Sequence, residues 1–152
     1  MIEYLVDTNL FVYAHDRSEP VKQRRARELL ERLFELETGA ITTQILGEFF
    51  RTVTCRLSRP LGLAVAQLQV ESVRSLFPVL PTTEQIVVEA VRGVVVHGLS
   101  YWDAQIWAAA RLNQIPTILS EDFQSGRAVE TVRFENPLAE SFRLPLDVNS
   151  KP

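Results

Sequence analysis

The feature that most restricts this chain is a repeated pairing: a short apolar run that stops on a polar residue, then a segment of helical length. Glu3-Tyr4-Leu5-Val6-Asp7 is rich in strand formers and runs into the polar Asp7-Thr8-Asn9. Ala40-Ile41-Thr42-Thr43 and Thr117-Ile118-Leu119-Ser120 repeat the pattern. Phe77 to Pro81 is a short extended segment, and Thr131 to Phe134 is a last, weaker strand. Runs of this kind read as buried strands. Between them, Leu10 to Ala14 begins a helix capped by Thr8 or Asn9. Pro20 opens a second helix from Val21 to Glu37, with i,i+4 pairs Arg24/Glu28, Arg27/Glu31 and Glu28/Arg32, stopped by Gly39. Gln44–Leu57 and Leu63–Ser75 follow. Thr82 with Gln85 forms a capping box for a helix that reaches His97 and ends at Gly98. Ser100 caps Tyr101–Asn113, which is apolar almost all round and therefore expected to be central. Strands alternating with helices imply an α/β fold, a parallel sheet flanked by helices. Such sheets bind ligands outside the carboxyl ends of their strands.

Composition narrows the chemistry. At 152 residues the chain reads as one domain, and 46% hydrophobic with 23% charged residues excludes a disordered or low-complexity polypeptide. Cys55 is the sole cysteine, so no internal disulfide forms. With two histidines beside it, a Cys/His zinc cluster is also excluded, and any metal must be a hard one held by oxygen. The net charge of −3 does not suggest non-specific nucleic-acid binding. That sum can be dominated by acids clustered in a metal site, since leaving four of them out would turn −3 into +1. The N-terminus lacks the basic and apolar regions of a signal peptide, and no apolar stretch is long enough for a membrane span. The expectation is a cytoplasmic protein with no membrane partner.

Four acids are placed oddly for solvated charges. Asp7 ends a strand, Glu48 lies among Ile45, Leu46, Phe49 and Phe50, Asp103 lies among Trp102, Ala104 and Ile106, and Asp122 follows Ile118-Leu119. Each has an ordinary alternative: Asp7 as a helix cap, Asp103 as the third residue after the cap Ser100, Glu48 on a solvated helix face, and Glu121-Asp122 as a post-strand turn. Their order and strand-end placement are more telling together. Gathered carboxylates raise one another's pKa, and a divalent cation removes that penalty. Such an ion can activate water for in-line phosphoryl displacement.

Asp7-Thr8-Asn9 after the first strand, Leu46-Gly47-Glu48-Phe49, Ser100 through Ala110, and Leu119-Ser120-Glu121-Asp122-Phe123 resemble PIN-domain ribonucleases. The resemblance is closest to the VapC toxins of type II toxin–antitoxin modules and covers about residues 2–137. It implies a three-layer α/β/α sandwich with a mostly parallel central sheet, a PIN domain over 1–137 and a C-terminal tail over 138–152. It implies a magnesium- or manganese-dependent endoribonuclease toxin that leaves a 5′-phosphate and a 3′-hydroxyl. It implies an RNA substrate and a cognate antitoxin, and the apolar helices around 45–57 and 63–75 are candidates for the antitoxin groove or for the surface of an expected homodimer. Carried over, Asp7, Glu48, Asp103 and Asp122 form the catalytic, metal-binding pocket, with Asp7 and Asp103 the most direct ligands. Thr8, Asn9 and Ser120 support them. Asp122 rather than Glu121 faces the metal by the motif. The sequence departs from the family at Gln105, which is polar where relatives are often apolar. It departs again at Ser125, which stands where close relatives often have histidine.

Other groups compete for a role. His15 and His97 are a candidate metal-free acid–base pair, although neither carries a supporting motif. Cys55 is expected on a helix, buried or half-buried. Arg51, Arg56 and Arg59 follow Glu48 as candidate phosphate contacts, or as a solvated face. Trp102 and Trp107 are candidate base-stacking platforms, or core. No Gly-rich phosphate loop is present, and position 9 is Asn where a phosphotransferase would carry a second Asp. The alternatives to a nuclease are a non-catalytic RNA- or protein-binding module of the same fold and a phosphoryl-transfer enzyme for small molecules.

Overall fold

A computed structural model of the chain describes residues 1–144. Strand β1 (Tyr4–Val6) is buried along its whole length, and so is β2 (Gly39–Thr42), which is why both read as unbroken apolar runs rather than alternating ones. β4 (Thr117–Leu119) lies on the other side of β1, with Leu5 opposite Ile118. β3 (Val79–Leu80) extends the sheet beyond β2, and β6 (Val132–Glu135) extends it beyond β4. These five strands are parallel. β5 (Ala128–Val129), which the sequence reading missed, pairs antiparallel with β6 at the edge, in the order β3-β2-β1-β4-β6-β5. A two-residue strand carries too few side chains to show a period.

Six helices among the described residues flank this sheet, as the α/β/α expectation requires. They are α1 (Thr8–Tyr13), α2 (Pro20–Glu35), α3 (Thr43–Cys55), α4 (Leu63–Leu76), α5 (Glu84–His97) and α6 (Tyr101–Leu112). α5 and α6 pack as a pair, and α6 also touches β4 and β6. α1 packs on α2 and α3, and α3 on α4. No helix among the described residues is long and apolar enough to cross a membrane.

Several caps differ from the sequence reading. Asp7, not Thr8 or Asn9, caps α1 by accepting from the Thr8 amide. Thr42 caps α3 by accepting from Ile45 N, so the helix starts one residue earlier than expected. Thr83 rather than Thr82 caps α5, while the Thr82 hydroxyl meets Thr43. α2 already ends at Glu35, and Gly39 opens β2 instead of stopping the helix. A Cβ at Gly39 would stand 2.9 Å from the Phe77 ring, so close packing explains that glycine. Among the described residues the three expected ion pairs of α2 do not form. Arg27 instead donates to the Ala14 carbonyl at 2.8 Å and Arg25 to the Leu138 carbonyl at 2.7 Å, tying α2 to its neighbours. Cys55 is exposed, contrary to expectation. Within the expected C-terminal tail, Leu138 and Leu144 are buried against the domain. The rest of that expected tail, 145–152, lies outside the described residues.

α6 is the buried pillar the sequence suggested. Ala104 through Ala110 are all buried, while Trp102 at its start is 61% exposed. Trp107 donates its indole N–H to the Val129 carbonyl at 3.1 Å. This fastens the β5–β6 hairpin, whose Glu130 gathers Arg92, Arg111 and His97. The six-membered ring of Trp107 lies against α5 at Gly93, where a Cβ would come within 2.8 Å of it. The substitution Gly93→Ala gains helix propensity yet overpacks this contact. It is expected to lose about 1–3 kcal/mol, which thermal melts should show as a Tm lower by roughly 3–10 °C.

Candidate acidic active site

The centre of the sheet is where its strand order turns: β1 has β2 on one side and β4 on the other. The crevice outside their carboxyl ends is the expected ligand position in such a sheet. Asp7 leaves β1 into that crevice and is only 5% exposed. One carboxylate oxygen accepts from Thr8 N at 2.7 Å and the other from the Ser120 hydroxyl at 2.7 Å. Burial pushes the Asp7 carboxyl up to about 6. The hydrogen bonds from Ser120 and Thr8 pull the other way, and the charges of Asp122 and Glu48 add to the rise.

Ser120, fully buried just past β4, joins three groups. Besides donating to Asp7, its hydroxyl accepts from Asn9 Nδ2 and from the Asp122 amide, both at 3.1 Å. Asn9 Nδ2 also lies 3.1 Å from Asp122 Oδ2. Glu48 arrives from α3. One of its oxygens accepts from the Thr8 hydroxyl at 3.0 Å and the other from Gln44 Nε2 at 2.8 Å. Gln44 was missed in the sequence. Its spacing of four residues from Glu48 on one helix was the available signal. Asp103 stands in the first turn of α6, half-buried, with Ser100 capping the helix through the Asp103 amide as expected.

All four acids line one cavity of about 840 Å³. Thr8, Asn9, Gln44, Arg51, Arg56 and Trp102 line it as well. Ser120 sits beneath the lining, and Arg59 and Trp107 do not reach it; Trp107 is core. Asp122 faces the cavity. Glu121 turns away to Lys22, at 2.6 Å, and this contact with Glu121, then one with Tyr13, holds the lysine well above its ordinary pKa. His15 packs on Phe49 and His97 on Trp107, and neither lines the cavity, so the metal-free histidine pair has no geometric basis. Ser125 donates to Glu135 and is occupied by loop structure.

Among the described residues no three Asp, Glu, His or Cys side chains are close enough to form a finished metal shell. The donor chemistry nevertheless fits a hard divalent cation supplemented by water. A buried carboxylate whose charge is opposed by two others gains most from such an ion, and the Oδ1 of Asn9, which lines the same cavity, is buried without a partner.

Fold and crevice together define a doubly flanked α/β domain with an acidic centre at the ends of its middle strands. The PIN domain family model matches residues 4–129, and the chain belongs to the PIN-domain family. Among solved structures it is similar to the VapBC2 complex of Rickettsia felis bound to a DNA fragment from its promoter, with 20% identity and a TM-score of 0.64 over 90% of this chain and 98% of that one. It is similar to DNA-bound VapBC of Salmonella typhimurium, with 16% identity and a TM-score of 0.66 over 90% and 99%. It is also similar to Mycobacterium tuberculosis VapC20, described as a sarcin–ricin loop cleaving toxin, with 18% identity and a TM-score of 0.55 over 76% and 86%. At these identities the likeness bears on the fold. No curated protein matches the chain significantly.

The raised Asp7 pKa has a stability consequence. Without a cation the folded state disfavours the charged carboxylate, so this group stabilises the fold only while protonated. Its penalty is absent below about pH 4, grows as pH rises, and is complete above about pH 6. Asn at position 7 keeps a capping oxygen without the charge. In chelator, Asp7→Asn is therefore expected to melt higher than the parent above pH 7, by about 1–3 kcal/mol. The two melting curves should converge near pH 4, and a constant offset across pH would contradict the assignment.

Proposed function

We propose that this chain is a metal-dependent endoribonuclease, the toxin of a toxin–antitoxin pair, acting in the cytoplasm. The observation that carries the reading is the convergence of Asp7, Glu48, Asp103 and Asp122, from four separate segments, on one cavity at the carboxyl ends of β1 and β4. Membership of the PIN family and the likeness to VapBC2 and to VapC20, a sarcin–ricin loop cleaving toxin, support it. Asp7 and Asp103 would hold magnesium or manganese most directly, with Glu48 and Asp122 completing the site. A bound divalent cation supplies charge stabilisation at the phosphorus and a lowered pKa for the attacking water. Thr8 and Gln44 fix the Glu48 carboxylate. Ser120 and Asn9 fix Asp7 and Asp122, so that no side chain has to reorganise during in-line displacement. Arg51 and Arg56 on the cavity wall receive the flanking phosphates, and the exposed Trp102 offers a face on which a base stacks.

The antitoxin belongs to the same reading. A second, apolar cavity of about 670 Å³ lies along α3 and α4, lined among others by Leu46, Phe50, Leu63 and Val70. Gly47 lines both it and the acidic cavity. An apolar partner segment ending in a basic side chain matches this sequence of surfaces and would neutralise the acids without a metal. The homodimer remains part of the proposal, to be measured by light scattering.

Incubation of the purified chain with labelled structured RNAs tests the reading directly. Magnesium is expected to produce discrete cuts with 5′-phosphate ends. Chelator should abolish them, and Asp103→Asn should slow them at least about 100-fold. RNA retained without cutting, in the presence of metal, would instead favour the non-catalytic module. Turnover of small phosphate esters with indifference to RNA would favour the phosphotransferase.

A further inference from the structure

Glu121 and Asp122 are neighbours in the chain, and the loop after β4 sends them in different directions. Asp122 lines the acidic cavity, whereas Glu121 meets Lys22 on α2, with Nζ 2.6 Å from Oε1. The lysine also lies 3.2 Å from the Tyr13 hydroxyl and 4.7 Å above the Tyr13 ring. The other Glu121 oxygen, Oε2, is buried with no hydrogen-bond partner. Lys22 is the only ion-pair partner of this carboxylate among the described residues. Lys22 does not line the cavity, so it is not placed to touch a substrate there.

We infer that Lys22 is a positioning residue for the acidic site, and that its ion pair with Glu121 selects which of two adjacent carboxylates faces the cavity. The inference rests on the reading of that cavity as a divalent-cation site. The physical reason is the state of Glu121 without its lysine. The Glu121 side chain is three-quarters buried with one oxygen already unpartnered, so without Lys22 it would lose its only opposite charge, and a largely buried charge stripped of its partner is unfavourable. Rotating Glu121 further into water relieves that loss. The loop is short and fastened at both sides of Glu121. The Asp122 amide is held by Ser120, the Asp122 carboxylate by Asn9, and the Phe123 ring is stacked on Phe134 with centroids 4.1 Å apart. Rotation at Glu121 therefore displaces Asp122 from its place beside Asp7. Outer groups that orient ligands commonly alter metal affinity by about 10–100-fold when removed.

The test is Mn²⁺ binding to the full chain, followed by electron paramagnetic resonance of free Mn²⁺, with circular dichroism as a check of folding. Lys22→Met, which keeps the apolar stem, is expected to weaken Mn²⁺ binding by about tenfold or more. Lys22→Arg, which keeps the charge, should stay within about threefold of the parent. Glu121→Gln removes the carboxylate that needs steering, so it should bind Mn²⁺ nearly as the parent does. For the same reason, Lys22→Met combined with Glu121→Gln should recover most of the affinity lost in Lys22→Met alone. Parental affinity in Lys22→Met overturns the inference, as does a double variant no better than the single one. A large loss in Glu121→Gln also overturns it, because Glu121 would then itself be a ligand. This variant decides the matter if Lys22→Met does not fold. Weakened RNA binding in Lys22→Met at unchanged Mn²⁺ affinity makes the lysine a phosphate contact and overturns the positioning role. A parent chain that binds no Mn²⁺ is a different result, and removes the cation-site reading together with this one.

Discussion

The carboxylate of Asp7 is the constraint around which the rest of this molecule is arranged. It has to be at the end of the central strand, because only there does the backbone turn into α1 and present the Thr8 amide as a cap. That position is buried, and a buried carboxylate resists ionisation. The two hydrogen bonds it receives, from Thr8 N and Ser120 Oγ, offset part of the penalty but leave the pKa raised. The neighbouring Asp122 and Glu48 worsen it. A fold selected only for stability would place a neutral residue here. The retained charge is the physical reason to regard this end of the sheet as a site rather than as a turn.

The supporting architecture follows from that one placement. Ser120 faces Asp7 because β4 pairs in register with β1, Val6 opposite Leu119, so the residues that follow leave the sheet side by side. Asn9 reaches the same hydroxyl from the first turn of α1, and Thr8 reaches Glu48 on α3. Short strands and buried helices hold these small polar groups with little freedom, since backbone ladders and close packing set their positions. The Trp107 contact with Gly93 and the Val129 hydrogen bond anchor α6, and with it Asp103, on the opposite wall. A site of this kind is carried by rigid elements, with loops contributing only Asp122 and its neighbours.

Much of this was legible along the chain because the sheet is parallel and buried. β1, β2 and β4 announce themselves as apolar runs, and α6 as a segment apolar almost all round. The acids stood out for the same reason: an ionisable residue amid Ile, Leu, Phe or Trp is conspicuous wherever the surroundings are expected to be buried. Boundaries were less legible. Thr82 was the cap the sequence favoured, because Gln85 completes a capping box with it, yet the Thr82 hydroxyl meets Thr43 and Thr83 caps the helix instead. The paired charges of α2 satisfied a helical spacing rule, yet Arg27, expected to pair with Glu31, donates to the Ala14 carbonyl instead. β5 was invisible because two residues define no period.

What the sequence determined by itself was the class of fold, the family, and the short list of acids at strand and helix ends. These depend on local pattern, in which burial and chain direction leave a signature within a few residues. What only the tertiary structure decided was which polar groups meet. The Ser120 junction joins residues more than a hundred positions apart, and the turning of Glu121 toward Lys22 rather than into the cavity depends on a helix 99 residues earlier in the chain. Contacts of that range are set by register and packing, and neighbouring carboxylates such as Glu121 and Asp122 are chemically alike until those contacts separate them.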